Sequence, residues 1–149
     1  MNAIREHLTQ TLEKMGIRAE VEERAIPDIA TPYVNVVTDD ARLLIGSRAQ
    51  NLLALEYLMK RFIERTAAEE RPTFFLDVNG YRLHQLEELK AEAKNVAKKV
   101  RLYRAAITLK PMPAFERRII HVALAEYPDI TTQSVGEGES RRVTIKPYP

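Results

Sequence analysis

The apolar residues of this 149-residue chain change their spacing several times along its length, and that restricts the fold more than any other property. Spacings of three and four residues suit one face of a helix, and a spacing of two suits one face of a strand. Ile4, Leu8, Leu12 and Met15 fall on one helical stripe, which Gly16 ends. Ile17, Ala19 and Val21 then alternate with Arg18, Glu20 and Glu22, the pattern of a strand with one wet face. Pro27 and Pro32 bracket a turn, and YVNVVT (33–38) reads as a second strand. Asp39 or Asp40 stands where it can cap a short helix over 42–45, which Gly46 interrupts. A strongly amphipathic helix follows, with Leu52, Leu55, Met59 and Phe62 on its apolar stripe. Pro72 opens a third strand, TFFLDV, which Asn79-Gly80 ends.

The second half repeats the alternation in a different order. A long helix is expected over 83–103, with Leu86, Leu89, Ala93, Val96 and Val100 facing inward and the helix bridging the two halves. AAITLK (105–110) reads as a short strand, and Pro111 and Pro113 start another helix that runs to about Ala125. DITTQSV and RRVTIK form a hairpin joined by GEGES. The chain is therefore α+β, and it divides into 1–80 and 81–149. The first domain runs helix, strand, strand, helix, helix, strand. The second combines the long helix, a second helix and a short, mostly antiparallel sheet.

Composition narrows the function classes. The absence of cysteine excludes disulfides and thiolate zinc sites. The first residues lack the apolar core of a signal peptide, and no apolar run approaches a membrane span, so a soluble cytoplasmic protein without membrane insertion is expected. Residues 1–79 hold 10 Lys and Arg against 13 Asp and Glu, a net −3, whereas residues 80–149 hold 13 against 8, a net +5. A basic C-terminal half points to a polyanionic partner. No catalytic motif is present: GEG at 136–138 is followed by Arg141 where a dinucleotide fingerprint needs glycine. His7, His84 and His121 are too scattered for a metal site. Neither an enzyme nor a cofactor is expected.

Three groups of residues suit phosphate binding. Gly46, Ser47, Arg48 and Ala49 join the short helix to the long one. A glycine there lets backbone approach a ligand, and the following helix offers unpaired N–H groups; a plain helical corner would equally need glycine for its φ angle. Arg117 and His121 lie four residues apart, with Arg118 beside them, on the polar strip of an otherwise apolar helix. Guanidinium and imidazole side by side can hold phosphate oxygens, although a surface arginine beside a locally packed histidine has the same spacing. Arg141 and Arg142 follow closely in sequence. Lys94 and Lys98, within a column that begins at Lys90 and continues to Arg101, suit a line of phosphates or simply a solvated face.

The order of elements in residues 1–79, with Gly46-Ser47-Arg48-Ala49 between the central helices, resembles the type II KH fold. The resemblance implies a loop that clamps a nucleic-acid backbone, with Ala49 where that family has its second glycine. FERRIIHVAL followed by a hairpin resembles the R-three-H domain over about 83–147. That family binds single-stranded nucleic acid. The tandem resembles the Jag (KhpB, EloR) family of bacterial RNA-binding proteins. It implies single-stranded RNA or DNA as ligand, pairing as a homodimer or with a small KH-only protein, and control of cell shape. Jag proteins commonly carry a further domain before the KH module, and functions that depend on it are not carried over. The acidic first half and Ala49 leave the Arg117/His121 side as the stronger expected binder.

Overall fold

The computed structural model describes residues 2–66 and 72–149. They form two compact units that meet in sequence between Leu83 and His84. In the first, α1 (Asn2–Lys14), β1 (Ala19–Arg24), β2 (Tyr33–Thr38), α2 (Ala41–Ile45), a 3-10 turn (Ser47–Ala49), α3 (Gln50–Thr66) and β3 (Phe75–Val78) precede the start of α4 (Tyr81–Tyr103). The strands lie in the order β1-β2-β3. β1 runs antiparallel to β2, with Val21 opposite Val36, and β3 runs parallel to it, with Tyr33 beside Phe75. A parallel pair needs a crossover, and the segment containing α2 and α3 supplies it. Leu8 and Leu12 of α1, Leu52 and Ile63 of α3, and Val36, Leu76 and Val78 of the sheet form the core.

Several local expectations shift by a residue or two. Phe62 is 48% exposed, and Ile63, at 0%, takes its place on the stripe after Leu52, Leu55 and Met59. At 100° per residue Phe62 and Ile63 fall on opposite edges of the arc set by Leu52, Leu55 and Met59, and packing within the core selects Ile63. Met15 is exposed because α1 ends at Lys14, and Ile17 fills the core instead. Asp40 occupies the N-cap position of α2, but its carboxylate makes no capping bond there. The long helix begins at Tyr81 rather than residue 83, for a reason that lies in β3.

Asp77 is fully buried on β3. Its Oδ1 accepts hydrogen bonds from the backbone N–H groups of Val78 and Arg82, each at 2.8 Å. Its Oδ2 accepts from the Leu83 N–H at 3.0 Å and from the Tyr33 hydroxyl at 2.7 Å. Two amides of the first turn of α4, which lack helical partners, are thereby satisfied, and an anion sits at the positive end of the helix dipole. Burial and the neighbouring Asp77 push the Tyr33 phenol far above its usual range, so it stays a donor. The free edge of β3 is closed in the same way: Glu56 accepts from the Leu76 N–H at 2.8 Å, and Arg82 donates to the Leu76 carbonyl at 2.9 Å. Arg82 also pairs with Glu56 at 2.7 Å and lies 3.7 Å over the Phe75 ring. An edge strand so covered offers no template for further pairing.

The second unit holds the rest of α4, then β4 (Ile107–Thr108), α5 (Ala114–Leu124), β5 (Ile130–Val135), a 3-10 turn (Gly138–Ser140) and β6 (Arg142–Pro147). The sheet order is β4-β6-β5, antiparallel throughout. Ala93, Ala97 and Val100 of α4 meet Ile120 and Leu124 of α5 over Val143 and Ile145 of β6. The strand expected over 105–110 contracts to two residues, although the Leu109 N–H still donates to the Val143 carbonyl at 2.9 Å before Pro111 intervenes. Among the described residues, no helix is long and apolar enough to cross a membrane.

Removing the Asp77 carboxylate strands three backbone donors and a phenol. Asp77→Ala is expected to lower unfolding free energy by about 3 kcal/mol, and Tyr33→Phe, which deletes one donor, by about 1.5 kcal/mol. Urea denaturation measures both, and an Asp77→Ala loss no larger than that of Tyr33→Phe would contradict the shared-acceptor account.

Candidate nucleic-acid interface

Pro113 occupies the N-cap of α5 in an extended conformation, so the helix starts abruptly and carries Arg117 and His121 one turn apart. β5 passes beside it. Thr132 and Ser134 are two residues apart on that strand, hence on one face, and they pair across the sheet with the buried Ile145 and Val143. That face looks toward α5. His121 Nε2 lies 3.0 Å from Ser134 Oγ, and Nδ1 lies 2.5 Å from Thr132 Oγ1. Arg117 donates from Nη1 to Ser134 Oγ at 3.1 Å and from Nε to the Met112 carbonyl at 3.2 Å. Spacing places Arg117 and His121 as neighbours; the structure adds that a serine hydroxyl joins them.

A guanidinium only donates, so Ser134 Oγ accepts from Arg117. The serine oxygen keeps a second lone pair and its own proton, so it can meet His121 Nε2 as acceptor or as donor, and in the neutral imidazole Thr132 Oγ1 meets Nδ1 in the complementary role. Burial, and then the charge of Arg117, hold the His121 pKa below the ordinary histidine value. Sequence reasoning missed Thr132 and Ser134. Their alternation in ITTQSV was visible, but nothing local showed that their face meets the helix.

The other expected residues are distributed unevenly. Arg118 is exposed on α5. The Arg141 carbonyl accepts from the Met112 N–H at 3.1 Å, placing its backbone at the Arg117 end of the unit, while its guanidinium donates to the Gly136 carbonyl at 2.7 Å. Arg142 pairs across the sheet with Val135, so it projects on the face opposite Ser134 and Val143. Its Nε donates to the Ser140 carbonyl at 3.0 Å. Lys146 shares that face and bonds Gln133. Lys94 and Lys98 are exposed on α4, but the column they belong to is partly occupied. Lys90 pairs with Glu87 at 3.3 Å, and Arg101 pairs with Asp129 at 2.6 Å while lying over Tyr127.

The Gly46 loop belongs to the first unit. Gly46 has φ +71°, and a Cβ there would lie 2.6 Å from Asn51 Cγ, whose amide is held by the Leu43 carbonyl at 2.9 Å. Arg48 and Ala49 also adopt left-handed φ, +54° and +59°. Such a conformation costs a non-glycine residue about 1–2 kcal/mol. The Ala49 methyl is buried among the core side chains, which offsets part of that cost. Ser47 and Arg48 are exposed. Among the described residues, no group of His, Asp and Glu could hold a metal ion.

The depressed histidine predicts an acid-dependent stability. Above about pH 6.5, the imidazole is neutral in both folded and unfolded chains. Below it the unfolded chain takes up a proton that the folded site resists, so stability falls until the folded pKa is passed. Urea midpoints measured between about pH 8 and pH 5 are expected to decline less steeply in His121→Gln than in the parent. Equal declines would place the titration elsewhere.

Residues 87–147 match the R-three-H domain family. The chain is 34% identical to RNA-binding protein KhpB of Clostridium symbiosum over 140 residues, which is 94% of this chain and 63% of that protein. It is 38% identical over 117 residues to the KhpB of Bacillus subtilis (strain 168), covering 77% of this chain and 56% of that protein. The KhpB of Lactiplantibacillus plantarum is 29% identical over 147 residues, 97% of this chain and 44% of its own. The chain thus spans less than two thirds of the length of these relatives.

Proposed function

We propose that this chain, a KhpB/Jag-type protein with an R-three-H domain, is a cytoplasmic regulatory protein that binds single-stranded RNA through the Arg117/His121 face. The relatives' names support RNA as the ligand. The observation that carries the site is the convergence of Arg117 and His121 on Ser134. Bonds to Met112 and Ser134 fix the guanidinium plane and leave N–H donors for phosphate oxygens. Preorganisation of this kind lowers the ordering cost of binding. Arg118 and Arg141 stand in the same unit for neighbouring phosphates, and Lys94 and Lys98 extend the positive surface of α4. The Gly46–Ala49 loop is a separate backbone contact in a KH-like domain over 1–80, the R-three-H domain taking 81–149. Single-stranded DNA fits the same phosphate chemistry. Both His121 nitrogens are engaged by hydroxyls and none by a carboxylate, which favours binding over catalysis.

Replacing both side chains, Arg117→Ala with His121→Ala, is expected to weaken binding of a short single-stranded RNA about 10–100-fold. The slope of log affinity against log salt should fall by about one. Fluorescence anisotropy reads both, with circular dichroism confirming a native fold. Parent-like affinity would remove this face from the interface.

A second, compatible reading concerns α3. Leu53, Tyr57, Leu58 and Phe62 are 47–61% exposed on one helix. This supports pairing of the KH-like unit with a second copy or a small KH-only protein. Sedimentation equilibrium is expected to show association that Tyr57→Glu with Leu58→Glu abolishes; a strict monomer that takes up no KH partner would sink this reading.

A further inference from the structure

A cavity of about 380 Å3 opens beside the Arg117 site, lined by Pro111, Met112, Pro113, Gly138 and Glu139. The geometry points to a nucleobase subsite there, in which Glu139 favours bases that present two adjacent donors, guanine above all. The inference rests on the phosphate-binding role proposed for Arg117 and His121 and specifies which part of the same strand enters next.

Arg117 connects the two places. Its Nε donates to the carbonyl of Met112, which lines the cavity, while its Nη1 holds the serine that joins it to His121. A phosphate on this guanidinium would therefore leave the base of the same or the next nucleotide within reach of the opening. The exposed rings of Pro111 and Pro113 give the lining an apolar part suited to the face of a base rather than to an ion, while Met112 is buried in the core behind them. Gly138 also lines it: its φ is +56°, and a Cβ added there would meet nothing within 4 Å, so the space beside its backbone is open to a ligand. Both lining segments are held. The Met112 N–H donates to the Arg141 carbonyl at 3.1 Å, and the Gly138–Ser140 turn is closed by the Ser140 and Arg141 amides at 3.1 and 3.2 Å.

The one charged group of the lining sets the preference. Glu139 is exposed and makes no ion pair among the described residues. A carboxylate only accepts hydrogen bonds, so it repels phosphate and attracts base N–H groups. Guanine offers an imino and an amino donor side by side, and cytosine or adenine offers one amino group. Uracil offers one imino group flanked by carbonyl oxygens that the carboxylate repels.

The test uses the full chain and three RNA oligonucleotides about eight nucleotides long. One is all uridine, one carries a single central guanosine, and one carries inosine, which lacks the amino donor, at that position. Guanosine is expected to tighten binding about tenfold over uridine, with inosine between. Glu139→Gln, which adds a donor at the same place, is expected to bind all three alike. Amide resonances of Met112 and Gly138 should shift on adding the guanosine oligonucleotide. Equal affinity of the parent for all three, a guanosine preference that survives in Glu139→Gln, or unmoved Met112 and Gly138 resonances would each overturn the subsite. Failure of the phosphate reading is a different result: Arg117→Ala with His121→Ala would then bind every oligonucleotide as the parent does.

Discussion

A buried polar group must find a partner, and in the first unit one carboxylate answers for four donors. Asp77 takes the amides of Val78, Arg82 and Leu83 and the phenol of Tyr33. The consequences spread outward from it. The first turn of α4 can form directly after β3 because its amides already have an acceptor. Tyr33 can lie fully buried on the central strand because its hydroxyl is satisfied. Arg82, placed by that turn, can then close the Leu76 edge with Glu56 and cover Phe75. Strand end, helix start and sheet edge are one connected polar structure, held away from competing water.

The second unit applies the same rule to a site rather than to a junction. Between α5 and β5 the side chains include Arg117, His121, Thr132 and Ser134, and each finds a partner among the others. The result holds a cation and a neutral imidazole in fixed positions before a ligand arrives. His121 resists protonation because it is half-buried beside Arg117. Under the proposed binding role, an arriving phosphate would bring negative charge to that spot and favour the proton, which would couple binding to pH through Arg117 and His121.

The loop at Gly46 shows a cost accepted in the backbone. Gly46 is required both by its φ and by the side chain of Asn51, whereas Ala49 holds a left-handed conformation with a methyl group. The loop keeps its path because the methyl is packed in the core on one side while Ser47 and Arg48 project from it. Both ends of the loop are therefore determined by packing, and only its middle is available to a ligand.

Much of this was legible in the residues alone. The alternation between helical and strand spacing determined the order of elements and the α+β class, because amphipathic periodicity is a local property of the chain. It also put Arg117 and His121 on one strip, since four residues make one turn wherever the helix lies. Tertiary structure alone decided what that strip faces. Ser134 and Thr132 reach His121 only because β5 lies beside α5 in a particular register, and a shift of one residue would have turned them away. The same register separates Arg142 from Arg117, although the sequence places it near Arg141 and the hairpin. Lys90 and Arg101 look like free members of a cationic column until Glu87 and Asp129 are seen beside them. Asp77 was invisible as a cap, because it precedes its helix by four residues and acts across a turn. Periodicity records which side of an element is wet; only packing records which polar side chains meet across the space between elements, because those meetings depend on distances that no local pattern encodes.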